Sequence, residues 1–184
     1  NAAETEIIGT YYTVEKLRYL LEHVRDKSIE VPVMLAVWMG FRRGDAIGLR
    51  WSDVDFARGT ICVQGSISTR CGRKTKSADA IYYKAPKTPP ATVYLLCRAS
   101  WQPICAIYAG GSKSSAYHTE WIDYVSVDAV GQLIKPDLVT RNFPLLLNRI
   151  GLRHIRFHDL RYSCATLPPE EGTSLKGVQD WLGH

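Results

Sequence analysis

The hydrophobic pattern of this 184-residue chain changes from helical to strand-like and back, which limits the folds it can adopt. Near the start, five apolar residues recur at helical spacing: Val14, Leu17, Leu20, Leu21 and Val24. That spacing places them on one face of a helix, and Thr13 precedes the helix where a capping residue is favoured. A second, buried helix is predicted over residues 33–39, ending near Gly40. A short third helix should follow, with Asp45 at its positive end.

The middle of the chain has a strand-like pattern instead. Residues 60–67 are β-rich, and two further short strands are predicted at residues 80–83 and 91–95, forming a hairpin across residues 84–90. A small hairpin is also predicted within residues 124–134. Helical patterns return from Pro136 to about Ile150, and again from Asp159. We therefore predict an α+β domain, mostly helical, with a small antiparallel β-sheet.

Composition narrows the class of protein without identifying it. The length suits one domain, and contents of 46% hydrophobic and 22% charged residues suit a soluble globular protein. The longest apolar runs are too short for a membrane span, and the first ten residues lack a signal-peptide pattern. The five cysteines are odd in number and form no CxxC pair, which favours reduced thiols in the cytoplasm. The net charge of +5 is compatible with a polyanionic partner.

Three separated segments carry the residue types used in phosphate chemistry. They are residues 40–55 (GFRRGDAIGLRWSDVD), residues 157–161 (FHDLR) and residues 179–184 (QDWLGH). In this order they resemble the active-site boxes of the tyrosine recombinase and integrase family. Residues 120–124 (EWIDY) and 134–137 (IKPD) also resemble connecting segments of that family, so the resemblance spans nearly the whole chain.

The resemblance implies the α+β catalytic-domain fold of that family and its activity on double-stranded DNA. The expected reaction is site-specific recombination, integrating or excising a mobile element by strand cleavage and rejoining through a 3′-phosphotyrosyl intermediate. The resemblance also implies a homotetramer on paired DNA sites in the bacterial cytoplasm, with no membrane association. No cofactor or metal is expected, because arginines supply the positive charge. His154 and His158 have a spacing that suits a metal pair, but no third ligand is well spaced.

The resemblance assigns Arg42 and Arg161 to a clamp on the phosphate. Two guanidinium groups can hold the non-bridging oxygens with bidentate, permanently charged hydrogen bonds, a geometry that lysine cannot copy. His158 would move the proton of the nucleophile. It is three positions before Arg161, so on a helix the two would share a face. His184 would donate a further hydrogen bond to the phosphate.

The family also uses a lysine on a β-hairpin turn to protonate the departing 5′ oxygen. Lys87, in Pro86-Lys87-Thr88, fits this role best, and Lys76 or Lys74 remains an alternative. Contacts with the DNA backbone are expected from five further basic residues: Arg43, Arg70, Arg73, Lys74 and Lys76. The alternative is that residues 70–76 are a solvated loop and that Arg43 is solvated or salt-bridged.

By the same resemblance, residues 1–12 are expected to be the remnant of a linker from an upstream DNA-binding domain. Residues 13–184 would be the catalytic domain, ending before the nucleophilic tyrosine, so this chain alone would not cleave DNA. Four features depart from the family pattern. Tyr162 stands where a second histidine is commoner, and Pro89-Pro90 follows Lys87 where polar or basic residues are usual; Pro144 and Pro168-Pro169 lie within helical patterns. They motivate one alternative, a non-catalytic DNA-binding relative. The others are a type IB topoisomerase and a basic domain with a partner that is not a nucleic acid.

Overall fold

The computed structural model describes residues 11–69, 81–84, 91–94 and 119–164. Five α-helices lie in these ranges: α1 (Val14–Val24), α2 (Glu30–Met39), α3 (Arg43–Gly48), α4 (Pro136–Arg149) and α5 (Leu160–Cys164). Five strands accompany them: β1 (Val54–Asp55), β2 (Thr60–Val63), β3 (Ser66–Thr69), β4 (Ile81–Lys84) and β5 (Ala91–Tyr94). Three 3₁₀ turns lie at Trp51–Asp53, Thr119–Trp121 and Phe157–Asp159. The predicted α+β class is confirmed.

Helix α2 lies at the centre of the described structure. Its Val33, Ala36 and Val37 belong to a cluster shared with α1, α4 and α5. Its Leu35 and Met39 belong to a second cluster beside β1 and β2. A helix that is apolar on every side is stable only when it is buried on every side, which explains this position. The helix ends as predicted, because Gly40 adopts a left-handed φ of 63° and closes the last turn.

The predicted hairpin between residues 80–83 and 91–95 is wrong, although both strands exist. Strand β4 pairs antiparallel with β3, and β5 pairs antiparallel with β2. These pairs lie in two separate sheets, one with the order β1-β2-β5 and one with β3-β4. The two predicted strands therefore each pair with a different partner and not with each other. The local pattern indicated strands correctly, but pairing depends on distant partners that no local pattern contains.

The predicted helix from Pro136 to about Ile150 is confirmed, and it continues through Pro144. Proline inside a helix removes one backbone hydrogen bond and costs about 3 kcal/mol. The helix buries four apolar side chains on one face: Val139, Phe143, Leu146 and Leu147. Each contributes about 1.5–3 kcal/mol when fully buried, so their packing outweighs the cost of the proline. Pro168-Pro169 lies outside the described residues.

Two glycines let α3 lie directly against β3. A Cβ atom on Gly44 would stand 2.8 Å from the carbonyl oxygen of Ile67, and one on Gly48 would stand 3.0 Å from that of Gly65. The two glycines are one helical turn apart, so they present one bare face to the strand. This close approach brings Ser66 next to α3. None of the helices in the described ranges is long and apolar enough to cross a membrane.

Candidate functional site

Arg42 stands at the N-cap position of α3 and its side chain is exposed. The left-handed Gly40 and the buried Phe41 precede it, so the chain turns sharply out of α2 before Arg42. The Arg42 backbone is extended, which projects the residue ahead of the helix. The Arg42 guanidinium can therefore bind an anion that approaches from solvent.

Arg161 lies in the short helix α5 and is only 7% exposed, which is unusual for an arginine. Its Nη1 donates a hydrogen bond to the carbonyl oxygen of Gly40 at 3.2 Å, linking residues 121 positions apart. Gly40 is two residues before Arg42, so this contact brings the two arginines of the predicted clamp to the same turn. The hydrogen bond also fixes the orientation of the Arg161 guanidinium.

Asp45 is a site residue that the sequence analysis treated only as a helix-terminal charge. Burial raises its pKa above the usual value, while a hydrogen bond from the Ser66 hydroxyl and the positive charges of Arg42 and Arg161 oppose that rise. Asp45 therefore lies close to both arginines of the predicted clamp. Its position in the first turn of α3, three residues after the N-cap residue Arg42, is a signal that could have identified it, because a side chain at that position reaches back towards the N-cap.

His158 is exposed and lies in the 3₁₀ turn Phe157–Asp159, before α5 begins at Leu160. The expectation that His158 and Arg161 share the face of one helix is therefore wrong. They are neighbours nonetheless: partial burial lowers the His158 pKa most, and Arg161 and Arg42 lower it further. The imidazole is thus mainly neutral at pH 7 and can accept a proton.

Tyr162 contacts the His158 ring edge to face. The ring centroids are 6.0 Å apart and the planes are 86° apart. The residue that departs from the family pattern therefore lies directly against the predicted proton-transfer residue. This arrangement is a common aromatic packing geometry and restricts how the imidazole can turn.

The turn that presents His158 is closed by Arg156 and Asp159. The Arg156 Nε and Nη2 atoms donate to the Asp159 carboxylate at 2.9–3.2 Å, and the Arg156 backbone N–H donates to the same group at 2.9 Å. The hydrogen bond from the Arg156 side chain is the largest cause lowering the Asp159 pKa. Asp159 therefore stays ionised and holds the turn shut. Sequence reasoning did not identify Arg156, which lies one residue before the FHDLR segment.

The remaining predicted residues are only partly covered by the structure. Arg43 Nη1 donates a hydrogen bond to the hydroxyl of Thr140 on α4, which ties the side chain to that helix. Its predicted contact with the DNA backbone and the solvated alternative both stay predictions. Six residues lie outside the described residues: Arg70, Arg73, Lys74, Lys76, Lys87 and His184. In the described ranges, no group of three or more His, Cys, Asp or Glu side chains could hold a metal ion.

The described residues thus define a helical domain in which two arginines and a histidine from distant segments meet at one turn. The sequence pattern of the phage integrase family matches residues 12–184, so the chain belongs to that family. A tyrosine recombinase XerC-like protein of Caldanaerobacter subterraneus subsp. tengcongensis is 26% identical over 194 residues, covering 98% of this chain and 48% of that protein. The chain therefore spans about half the length of this curated relative.

Solved structures show the same fold. The Tn1549 transposon integrase, in complex with a circular intermediate DNA, matches with a TM-score of 0.73 at 16% identity, covering 100% of this chain and 60% of that one. A lambda integrase dimer bound to a COC′ core site matches with a TM-score of 0.61 at 19% identity, with the same coverage. The predicted family and the tyrosine-recombinase catalytic-domain fold are confirmed.

Proposed function

We propose that this chain is the catalytic domain of a tyrosine recombinase that cleaves and rejoins double-stranded DNA during site-specific recombination. The observation that carries the proposal is the meeting of Arg42, His158 and Arg161 at one turn of the fold. Arg42 is distant in sequence from His158 and Arg161, and the stability of the fold does not require these polar groups to lie together. A phosphodiester is a ligand that uses all three.

The two arginines differ in ways that suit a clamp. Arg161 is buried and oriented by the Gly40 carbonyl oxygen, so its guanidinium is held ready before DNA binds. Arg42 is exposed and approaches from the N-terminus of α3. Charge builds on the non-bridging oxygens as a nucleophile enters the phosphate, and preorganised donors lower the energy of that state. Asp45 keeps the two positive charges together before the phosphate arrives.

His158 is the proposed proton acceptor for the attacking tyrosine hydroxyl. The tyrosine oxygen bonds to phosphorus, the bond to the 5′ oxygen breaks, and a 3′-phosphotyrosyl link remains. The link conserves the energy of the broken bond, so a 5′ hydroxyl of another strand can reverse the step. The resemblance of residues 179–184 to the third box supports His184 as a further donor to the phosphate. It also supports an attacking tyrosine that follows His184.

Lys87 is proposed to protonate the departing 5′ oxygen. The segment 85–90 leaves β4 where Lys84 pairs with Ser66, and it joins β5 where Ala91 pairs with Val63. The first of these points lies beside Ser66, in the part of β3 that α3 approaches closely. Lys74 and Lys76 remain alternatives, since residues 70–80 connect the paired ends of β3 and β4.

Arg43 and the basic residues of the 70–76 segment are proposed to contact the DNA backbone: Arg70, Arg73, Lys74 and Lys76. The complete protein is proposed to act in the bacterial cytoplasm as a homotetramer on paired sites. Similarity to a transposon integrase favours integration or excision of a mobile element. Residues 1–12 would then lead from an upstream DNA-binding domain into the catalytic domain, residues 13–184.

The test is covalent trapping by the full-length protein on a nicked DNA substrate. We expect an adduct that maps to a tyrosine and that Arg42→Lys reduces by about 10²–10³-fold, because an ammonium cannot make the two-pronged contact. The matched control is Arg58→Lys, an exposed arginine paired with Asp55 outside the site, which should leave the adduct unchanged.

Each alternative has its own outcome. DNA binding without any adduct would identify a non-catalytic relative, and relaxation of supercoils without recombinants would identify a topoisomerase. An adduct that is insensitive to Arg42→Lys would move the clamp to another arginine. An adduct formed by the 184-residue chain itself would overturn the placement of the nucleophile after His184.

A further inference from the structure

The segment before His158 has an alternating pattern of burial. Ile155 and Phe157 are buried in the main cluster, whereas Arg156 and His158 are exposed. The Arg156 backbone is extended, with φ −76° and ψ 152°. Arg156 and His158 therefore both face solvent, away from the cluster that holds Ile155 and Phe157.

The Arg156 guanidinium is held at one edge and open at the other. Nε and Nη2 bind Asp159, and among the described residues Nη1 has no hydrogen-bond partner. The Arg156 side chain is 74% exposed, whereas that of Asp159 is only 5% exposed. A guanidinium has five N–H donors in a rigid plane, so binding along one edge leaves donors directed into solvent. Its orientation is already restricted, which reduces the entropy lost when it binds a second partner.

Three guanidinium groups, those of Arg42, Arg156 and Arg161, lie near enough to His158 to lower its pKa, in addition to the larger effect of burial. Two carboxylates, those of Asp45 and Asp159, offset part of this charge. The positive excess suits a polyanion better than a single neutral ligand. Arg42 and Arg161 are sufficient for one phosphate, so the open edge of Arg156 is available to another.

We propose that Arg156 contacts a DNA phosphate adjacent to the one held by Arg42 and Arg161, while Asp159 fixes its orientation. This inference rests on the proposed function, since it requires duplex DNA at the His158 surface. It assigns Arg156 a role beyond closing the turn. A role only in closing the turn would use only the Nε and Nη2 edge of the guanidinium, which binds Asp159.

The experiment measures binding of the full-length protein to a short fluorescent duplex at several salt concentrations. We expect Arg156→Gln, which keeps hydrogen-bond donors for Asp159, to weaken binding several-fold at low salt. It should also reduce the slope of log affinity against log salt by about 0.9, the contribution of one phosphate contact. Asp159→Asn removes the ion pair but keeps the arginine charge, so it should preserve the slope. Arg58→Gln removes an exposed arginine from a similar Arg–Asp pair elsewhere and is the matched control.

An unchanged slope for Arg156→Gln would overturn the inference. Equal loss of slope in Arg156→Gln and Asp159→Asn would also overturn it, because the turn rather than the arginine would then be responsible. If the wild-type protein cleaves DNA but Arg156→Gln has the wild-type slope of log affinity against log salt, the Arg156 contact is refuted and the proposed function is unaffected. Wild-type protein that fails to bind duplex DNA refutes both.

Discussion

At the scale of single residues, Asp45 combines a role in the site with an unfavourable burial of its carboxylate. Its carboxylate is partly buried between α3 and β3 and receives the Ser66 hydroxyl. Burial raises the pKa despite two nearby arginines. The group therefore ionises less readily in the folded protein than in the unfolded chain. The contribution of Asp45 to the free energy of unfolding is fully present below the pKa of this group in the unfolded chain. It is lost as the pH rises through the pKa of Asp45 in the folded protein.

Asp45→Asn is accordingly expected to raise stability at pH 7 while lowering cleavage. The amide carries no charge to desolvate and can still accept the Ser66 hydrogen bond. It cannot hold two guanidinium groups together, so adduct formation should fall by at least about tenfold, or about 1.4 kcal/mol in the barrier. Thermal unfolding and covalent trapping measure the two effects.

The control is Asp55→Asn, which removes an exposed carboxylate paired with Arg58 and should leave cleavage unchanged. A lower melting temperature for Asp45→Asn would show that attraction to the arginines outweighs the burial cost. Unchanged cleavage would remove Asp45 from the site.

At the scale of elements, the contact between α3 and β3 determines where the site forms. Gly44 has no room for a side chain, because a Cβ atom would meet the backbone carbonyl of Ile67 at 2.8 Å. A backbone atom cannot rotate away as a side chain can. The packing of α3 on β3 therefore depends on glycine at this position.

Gly44→Ala is expected to destabilise the fold by about 1–3 kcal/mol, as overpacking does. Alanine favours helix by about 0.5–1 kcal/mol over glycine, which is too little to reverse that sign. Because β3 must shift, Ser66 moves from Asp45 and cleavage should also fall. Urea unfolding and adduct formation well below the melting temperature measure both.

Gly151→Ala provides the contrast. A Cβ atom there meets nothing within 4 Å, but φ is 71°, so the variant is strained without any packing change. It should lose stability and retain cleavage. If Gly44→Ala retained cleavage as well, the α3–β3 contact would not control the site.

At the scale of the whole molecule, the start of the described chain is tied to the site helix. The Tyr12 backbone N–H donates to the Ser163 hydroxyl at 2.9 Å, and the Tyr12 hydroxyl donates to the carbonyl oxygen of Arg153. The Ser163 hydroxyl in turn donates to the carbonyl oxygen of Asp159 at 3.4 Å. Tyr12 is fully buried, and burial raises its pKa to about 12.

This burial predicts a loss of stability at high pH. The unfolded chain releases the tyrosine proton near pH 10, whereas the folded protein retains it to about pH 12. The unfolded state binds fewer protons over that interval, so the free energy of unfolding falls as pH rises. The loss is at most about 3 kcal/mol, at roughly 1.4 kcal/mol per pH unit.

Tyr12→Phe should be less stable than wild type at neutral pH but should lose less stability between those pH values. The comparison variant is Tyr19→Phe, because Tyr19 is exposed. Urea unfolding across the alkaline range measures the slopes. If the free energy of unfolding falls equally steeply with pH for wild type and Tyr12→Phe, buried Tyr12 is not the cause of the alkaline loss of stability.

The sequence by itself determined the features of this protein that depend on neighbouring residues. Leu17, Leu20 and Val24 predicted the buried face of α1, and Gly40 predicted the end of α2, because both are set within a few residues. The ordered segments around Arg42 and Arg161 were sufficient to indicate the family. Their resemblance does not require knowing how the segments pack.

The tertiary structure alone decided which distant groups meet. It paired β4 with β3 and β5 with β2, against the nearest-neighbour hairpin that local pattern favoured. It placed Asp45 beside Arg161, and it linked the Arg161 guanidinium to the carbonyl oxygen of Gly40, 121 positions away. These outcomes depend on packing and electrostatic energies between segments separated by up to 151 positions, and such energies have no local signature in the sequence.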